Sequence, residues 1–409
     1  MRKTSILLMA ILILLAGCQK TSTNDLSTNV QTGNTQVNSA KATLVEFINT
    51  QHLADRFTGA GNPVVTNSNE RRVGAQNRLK KNADFNDNLF RIKRAINIGD
   101  YQCGPTIIDQ YINNSVANWT DDDFTIYNTF SFLIWDYAYL YQNSDESAVP
   151  YFGDHGEYTN VNKRSFRDLQ NFWDIPGADI YLTAAHGIFF NDINKVTVIL
   201  KTERDFGWID ASITDAQIAQ IAQLLQIVFG SENFQKFKHP LLTFNAFAVT
   251  PEPDFNIPSK IVMGDGIQKA YFDMGLGDVA TQAILSHEYG HQVQFANPNL
   301  VTFDYSPEGT RATELMADAL SAYYLTNKRG AAMNWHRVKD FLDVFYAIGD
   351  CAFDDPGHHG TPNQRMKSAE FGYSIASSAQ KQGKILSSSA FIKLFYAALP
   401  AIVAADANK

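Results

Sequence analysis

One pentapeptide constrains this 409-residue chain more than any other feature: His287-Glu288-Tyr289-Gly290-His291 fits the pattern H-E-x-x-H. Residues i and i+4 of a helix share one face, so both imidazoles can bind one zinc ion. Glu288 lies one residue further round the helix, where its carboxylate can act as a general base without binding the metal. The pattern therefore predicts a helix with His287 and His291 as metal ligands; the alternative is a helix with two structural histidines.

A second pair of residues at the same spacing follows, because Glu314 and Asp318 are also i and i+4. A catalytic zinc ion usually has three protein ligands and one open position, so we expect Glu314 to be the third ligand. Asp318 would accept the other ring proton of a ligand histidine and fix its tautomer. The alternative is two solvated acids on a helix surface, but burying unpartnered carboxylates is costly, and the neighbours are apolar: Leu315, Met316, Ala317, Ala319 and Leu320.

Three motifs in order resemble those of the bacterial neutral zinc metallopeptidases: H-E-x-G-H-x-V-Q from His287, E-L-x-A-D from Glu314, and H-G-T-P-N-Q-R from His359. The ligand pattern is also similar to that of the broader gluzincins. The resemblance spans residues 261–372 and implies a zincin-like fold, one zinc ion per chain and a protein or peptide substrate. It gives no substrate identity. Ala319 stands where relatives often have Cys, and Cys351 stands where a second acid is usual.

The order of elements predicts an α+β fold. We expect strands at 180–184 and 196–200 with a turn between them, a helix at 214–228, and strands at 242–249 and 261–264. Two site-bearing helices follow, one capped by Asp278 and one starting at Ser306. This is the order of a zincin-like core, by analogy at the level of the fold: a small mixed sheet, a backing helix, two site-bearing helices, and mainly helix afterwards.

The N-terminus predicts export and lipid anchoring. Residues 1–17 have the positive and apolar regions of a secretory signal, and the segment Leu15-Ala16-Gly17-Cys18 resembles the cleavage box of bacterial lipoproteins. The resemblance implies that Cys18 becomes the lipidated first residue and anchors the protein to the cell envelope. In such lipoproteins a non-acidic residue like Gln19 usually goes with the outer membrane.

Composition divides the rest of the chain. Residues 18–40 are polar and predict a flexible tether. Residues 41–175 show no chemistry and have no assigned role, and the aromatic stretch 124–141 is either a buried helix or a pair of strands. Residues 176–409 form the expected zincin-like domain. The net charge of −8 argues against a nucleic-acid partner, while Cys103 and Cys351 are either one disulfide or two separate thiols.

The catalytic expectation is a general-base mechanism. Glu288 would take a proton from the attacking water and pass it to the leaving amine. The second donor to the developing oxyanion stays open among four candidates: Tyr305, His358, His359 and Arg365.

The segment after His359 has a structural interpretation as well. Thr361 and Gln364 fit a capping box, with Pro362 at the first helical position, so the segment also fits a helix start. His359 and Arg365 remain its candidate functional residues. The alternative function for the whole chain is a catalytically silent scaffold on a zincin fold, lipid-anchored and used for binding or envelope assembly. The oligomeric state is open.

Overall fold

A computed structural model describes residues 23–51, 53, 105–143, 151–207, 209–301, 303–304, 306–347, 359–380 and 384–404 of the chain. The predicted signal segment, the lipidation site Cys18 and the cysteines Cys103 and Cys351 lie outside these residues, as do the candidate donors Tyr305 and His358. Within them, no helix combines the length and apolar character needed to cross a membrane.

The described elements are mostly helical. In chain order they are α1 (Thr23–Thr50), α2 (Ile107–Ser115), α3 (Asp121–Phe130), α4 (Leu133–Leu140), α5 (Thr159–Phe172), β1 (Tyr181–Ala185), α6 (Ile193–Asp205), α7 (Asp215–Phe229), β2 (Ala246–Val249), β3 (Lys260–Gly264), α8 (Asp265–Asp273), α9 (Gly277–Phe295), α10 (Pro307–Thr326), α11 (Trp335–Ala347), α12 (Pro362–Gln380) and α13 (Ser388–Ile402). Every described element after β3 is a helix. The expected α+β class is therefore confirmed.

The three strands form one mixed sheet in the order β1-β3-β2. Strand β1 runs parallel to β3, with Tyr181 opposite Lys260, and β2 runs antiparallel to β3, with Ala246 opposite Met263. All five residues of β3 are buried, including Lys260. A buried ammonium group needs hydrogen-bond partners, and Nζ of Lys260 donates to the carbonyls of Ala138 at 2.9 Å and Gln142 at 2.8 Å. These bonds fasten the end of α4 to the sheet.

The prediction of a strand at 196–200 is wrong, because these residues lie in helix α6. Val196, Ile199 and Leu200 are buried, and their i, i+3, i+4 spacing places them on one helix face. Asp192, which lies in the predicted turn before this segment, is the N-cap of the helix. Its side chain accepts hydrogen bonds from the backbone amides of Asn194 and Lys195. A short apolar run did not distinguish strand from helix.

The other predicted elements are present with shifted ends. Helix α7 has the capping box formed by Thr214 and Gln217. Strand β2 begins at Ala246 rather than at residue 242, because a short 3₁₀ helix covers Pro240–Thr243. Helix α9 begins at Gly277 with Leu276 as its N-cap residue and no side-chain cap, so Asp278 is not the cap.

Helix α1 differs from the flexible tether predicted for residues 18–40, since it begins at Thr23. Its C-terminal part packs into the protein, where Ala40, Leu44 and Ile48 are buried. Nζ of Lys41 forms an ion pair of 2.6 Å with the buried Asp123 on α3. Of these buried residues only Ala40 belongs to the predicted tether, because Leu44 and Ile48 lie beyond residue 40.

The described residues of the region 41–175 share their hydrophobic core with the rest of the described chain. The aromatic stretch 124–141 forms the two helices α3 and α4 instead of strands. Helix α5 lies against α9, which carries the H-E-x-x-H motif. Its Phe172 makes an edge contact with Tyr324 of α10, with ring centroids 5.2 Å apart. The region thus supports the two helices that carry the predicted site.

Candidate metal site

The two site-bearing helices, α9 and α10, approach closely at a glycine. A Cβ atom added to Gly290 would lie 3.1 Å from Cα of Ala317 and 3.2 Å from its carbonyl oxygen. These distances are tighter than ordinary van der Waals contact, so a small residue on each helix permits this approach. Close to the same place, Oγ of Ser321 on α10 donates to the carbonyl of Ala283 on α9 at 3.0 Å.

Three side chains converge where the helices meet. Nε2 of His287 lies 3.2 Å from Nε2 of His291 and 3.2 Å from Oε2 of Glu314. Nε2 of His291 lies 3.4 Å from Oε1 of Glu314. Among the described residues, this is the one group of three such side chains close enough together to hold a metal ion. The structure thus brings together the three residues that were predicted as ligands.

The second ring nitrogen of His287 is also engaged. Nδ1 lies 2.8 Å from Oδ1 of Asp318, which is fully buried. A neutral imidazole that donates from Nδ1 keeps its lone pair on Nε2, so this contact orients the lone pair toward His291 and Glu314. Asp318 therefore has the position predicted for it, next to His287.

His291 has an orienting partner that the sequence analysis missed. Its Nδ1 lies 3.1 Å from Oε1 of Gln294, and Nε2 of Gln294 donates to the carbonyl of Thr313 at 2.7 Å. The amide can accept the imidazole proton while its own NH₂ group is held by α10. The signal was in the sequence, because Gln294 follows His291 by three residues and so shares its helix face.

Comparisons with protein-family models, with curated proteins and with solved structures find no match for the chain.

The charges at the site act on each other strongly. Burial alone would favour neutral His287, but hydrogen bonds and charge from Asp318 and Glu314 outweigh it and raise the pKa of His287 to about 10. Burial would likewise favour protonated Glu314, but the charges of His291 and His359 and the hydrogen bonds from both motif histidines hold its pKa well below the usual range. The buried carboxylates and imidazoles of this cluster thus favour positive charge at the point where they converge.

Glu288 lies beside these donors on α9 and is only 6% exposed. None of the described residues forms a hydrogen bond or ion pair with its carboxylate. A general base must be able to accept a proton within hydrogen-bond reach of the reacting group. Glu288 therefore remains the candidate general base.

The segment from His359 to Arg365 lies against α10. The Thr361 amide donates to Oε1 of Gln364 at 3.1 Å, and the Gln364 amide donates to Oγ1 of Thr361 at 3.2 Å, which confirms the predicted capping box. Gly360 has a φ of 109° and lies near Leu315 of α10. His359 is close enough to Glu314 for its charge to lower the pKa of that carboxyl group. His359 therefore stays a candidate donor.

Arg365 has a different place from that of an oxyanion donor. Its Nε donates to Oδ2 of Asp318 at 2.8 Å, and its Nη2 donates to Oδ1 at 2.6 Å. Nη2 also lies 3.5 Å from Nδ1 of His287, at the edge of the ring opposite the converging Nε2 atom. The guanidinium group thus lies on the Nδ1 side of His287, away from the Nε2 atom that faces His291 and Glu314.

Proposed function

We propose that the chain is a zinc-dependent peptide-bond hydrolase, with His287, His291 and Glu314 as metal ligands and Glu288 as general base. The observation that carries the proposal is the convergence of three donor groups beside a buried carboxylate without a partner among the described residues. Three protein ligands with one open position are typical of catalytic zinc sites, whereas structural sites are closed by four.

The separations of the donors favour zinc. A tetrahedral site with bonds of about 2.0 Å has ligand atoms about 3.3 Å apart. The three measured separations are 3.2, 3.2 and 3.4 Å. Two imidazoles and one carboxylate are also the donor types of known catalytic zinc sites, while magnesium and calcium prefer oxygen ligands. The residues present therefore fit a zinc ion.

Zinc in such a site acts as a Lewis acid that activates a water molecule and polarises a carbonyl group. The chain's own residues supply the proton transfers. Glu288 would accept the proton of the attacking water and deliver it to the leaving amine of the peptide. His359, which is near Glu314, would donate a hydrogen bond to the oxygen on which negative charge develops.

The N-terminal sequence supports a place for this activity. The signal-like residues 1–17 and the lipoprotein-type box that ends at Cys18 are typical of proteins anchored to the bacterial cell envelope. We therefore include in the proposal that the hydrolase acts on proteins or peptides outside the cytoplasm, held to a membrane by the lipid on Cys18.

The test is a digest of a mixed peptide library by the zinc-loaded protein, compared with the Glu288→Gln variant. We expect cleavage by the unaltered protein and a loss of at least 100-fold in the variant, because removing a general base costs this much. The variant should keep its zinc, since Glu288 is not a ligand. Glu232→Gln, the same change at an exposed position, serves as the control and should cleave normally.

The other outcomes of the digest are equally clear. Undiminished cleavage by Glu288→Gln would show that another group is the base. One equivalent of zinc without cleavage of any peptide would favour the silent scaffold.

A further inference from the structure

A buried arginine contacts Asp318, the carboxylate next to His287 of the candidate metal site. Arg365, in the first turn of α12, is only 3% exposed and reaches across to Asp318 of α10, which is fully buried. The two hydrogen bonds use both carboxylate oxygens, Nε to Oδ2 at 2.8 Å and Nη2 to Oδ1 at 2.6 Å. Such a paired contact between a guanidinium group and a carboxylate restricts the plane of the carboxylate as well as its position.

The same carboxylate oxygen serves the histidine. Oδ1 of Asp318 lies 2.8 Å from Nδ1 of His287 and 2.6 Å from Nη2 of Arg365. A rotation of the carboxylate that broke the contact with Arg365 would therefore also move the oxygen that orients His287. The direction of Nε2 of His287 depends on Arg365 through this shared atom.

We propose that Arg365 is a positioning residue that fixes Asp318, and through it His287, in the orientation that binds the metal. The inference rests on the proposed metal site, and it gives Arg365 a role that does not involve contact with substrate, unlike the role proposed for His359. The order of contacts is Arg365, Asp318, His287, metal. Outer partners of ligand histidines commonly affect metal affinity in this way.

The position of Arg365 is itself built into the fold. The capping box of Thr361 and Gln364 sets the start of α12, and Gln364 also donates to the carbonyl of Val403. Further along α12, Gly372 lies against α10, since a Cβ atom there would lie 2.1 Å from the carbonyl oxygen of Ala319. Helix α12 therefore holds the guanidinium group against α10 by its own close packing.

The other ligand histidine provides an internal comparison. His291 is oriented by Gln294, a neutral amide held by the carbonyl of Thr313. No charged group enters that arrangement among the described residues. Loss of Arg365 should therefore disturb the geometry of His287 while leaving the support of His291 in place.

The experiment measures the affinity for cobalt(II), which also reports ligand geometry through its visible absorption spectrum, in full-length protein. The variants are Arg365→Gln, Arg365→Lys, Asp318→Asn and the double variant Asp318→Asn with Arg365→Gln. Lys367→Gln is the control, because it removes a cation from the same helix at a position hydrogen-bonded to Ala404 instead. Circular dichroism and thermal melting of the metal-free proteins show whether each variant is folded.

We expect Arg365→Gln to bind cobalt about 10- to 100-fold more weakly and with an altered spectrum, by the usual size of such outer effects. Arg365→Lys keeps the charge but loses the second hydrogen bond, so its cobalt affinity should lie between those of Arg365→Gln and the unaltered protein. Lys367→Gln should stay within about twofold of the unaltered protein, because it does not touch Asp318. In the Asp318→Asn background the further change at Arg365 should have an effect of less than about threefold, because the two residues act as one unit.

Three results would overturn the proposal. The first is a folded Arg365→Gln variant with unchanged cobalt affinity and spectrum. The second is a loss of affinity in the Asp318→Asn background that is as large as the loss caused by Arg365→Gln alone. The third applies if Arg365→Gln does not fold, and it is unchanged affinity and spectrum in Arg365→Lys. Absence of metal binding by the unaltered protein would instead contradict the proposed function, so the two failures are distinguishable.

Discussion

At the residue scale, the ionisation of His287 links the site to the stability of the metal-free protein. The carboxylates of Asp318 and Glu314 raise its pKa to about 10 against the opposing effect of burial, while the ordinary value is about 6.5. Between these two values the folded protein holds a proton that the unfolded chain releases. The free energy of unfolding of the metal-free protein should therefore be highest below pH 6.5 and fall as the pH rises toward 10.

Urea unfolding of the metal-free protein at pH 6, 8 and 10 measures this effect, which should amount to roughly a few kcal/mol. His287→Ala is the control, because it removes this proton and leaves the other titrating groups. Saturation with zinc should also abolish the decline, since a ligand histidine must be neutral. If the free energy of unfolding fell equally with pH in the unaltered protein and in His287→Ala, the raised pKa of His287 would not be the cause.

At the element scale, the crossing of α9 and α10 brings the proposed ligands together, and Gly290 lies at a close contact between these helices. Alanine there would place Cβ about 3.1 Å from Cα of Ala317. We expect Gly290→Ala to separate the helices slightly and weaken zinc binding, because the proposed ligands lie on both helices. Gly290→Val, with two more methyl groups at the contact, should cost about 1–3 kcal/mol of stability through overpacking.

Competition with a chelator for zinc, together with urea unfolding, measures the two effects in this series. The predicted order of zinc affinity is glycine, then alanine, then valine. Equal affinity in all three would mean that the site does not depend on this contact.

The sequence predicted those parts of the fold and site that depend on local spacing. The i, i+4 spacing predicted that His287 and His291 share one helix face and that Glu314 and Asp318 share another. The three-ligand pattern of catalytic zinc sites predicted that the two pairs meet. Contacts between distant segments that no such pattern links could not be predicted. Nothing near Arg365 indicates that its partner is Asp318, 47 residues earlier, since that contact requires the packing of α12 on α10.

The failures have similar physical causes. The prediction of a strand at 196–200 was wrong because a short apolar run fits both periodicities. In the structure these residues belong to a helix that Asp192 caps. The role of Gln294 was not predicted although its spacing was favourable, because an amide is not a usual ligand of zinc. These cases show that local periodicity needs capping and tertiary contacts before it specifies an element.

At the scale of the whole molecule, the N-terminal helix is part of the folded body. The ion pair between Lys41 and Asp123 joins α1 to α3 at 2.6 Å, with side chains that are 8% and 0% exposed. Lys41→Met would leave a buried carboxylate without its cation, and breaking such a pair costs about 3–5 kcal/mol. Remaining hydrogen bonds from Thr120 and Asn233 to Asp123 should hold the loss near the lower end.

The matched control is Lys201→Met, which breaks a pair of nearly equal length, 2.7 Å to Asp215, between exposed side chains. Exposed pairs contribute about 0–1 kcal/mol, so the control should lose little. Urea unfolding of both variants decides the matter. Equal losses would mean that this buried ion pair does not hold α1 against α3.

The proposed function depends on one metal ion bound by residues from two helices. The most direct measurement is the zinc content of the purified protein and of the three single variants His287→Ala, His291→Ala and Glu314→Ala, by mass spectrometry of the metal. The account predicts one equivalent of zinc per chain, lost in each variant while the circular dichroism spectrum keeps its helical signal. A protein that takes up no zinc, or variants that retain the full equivalent, would contradict it.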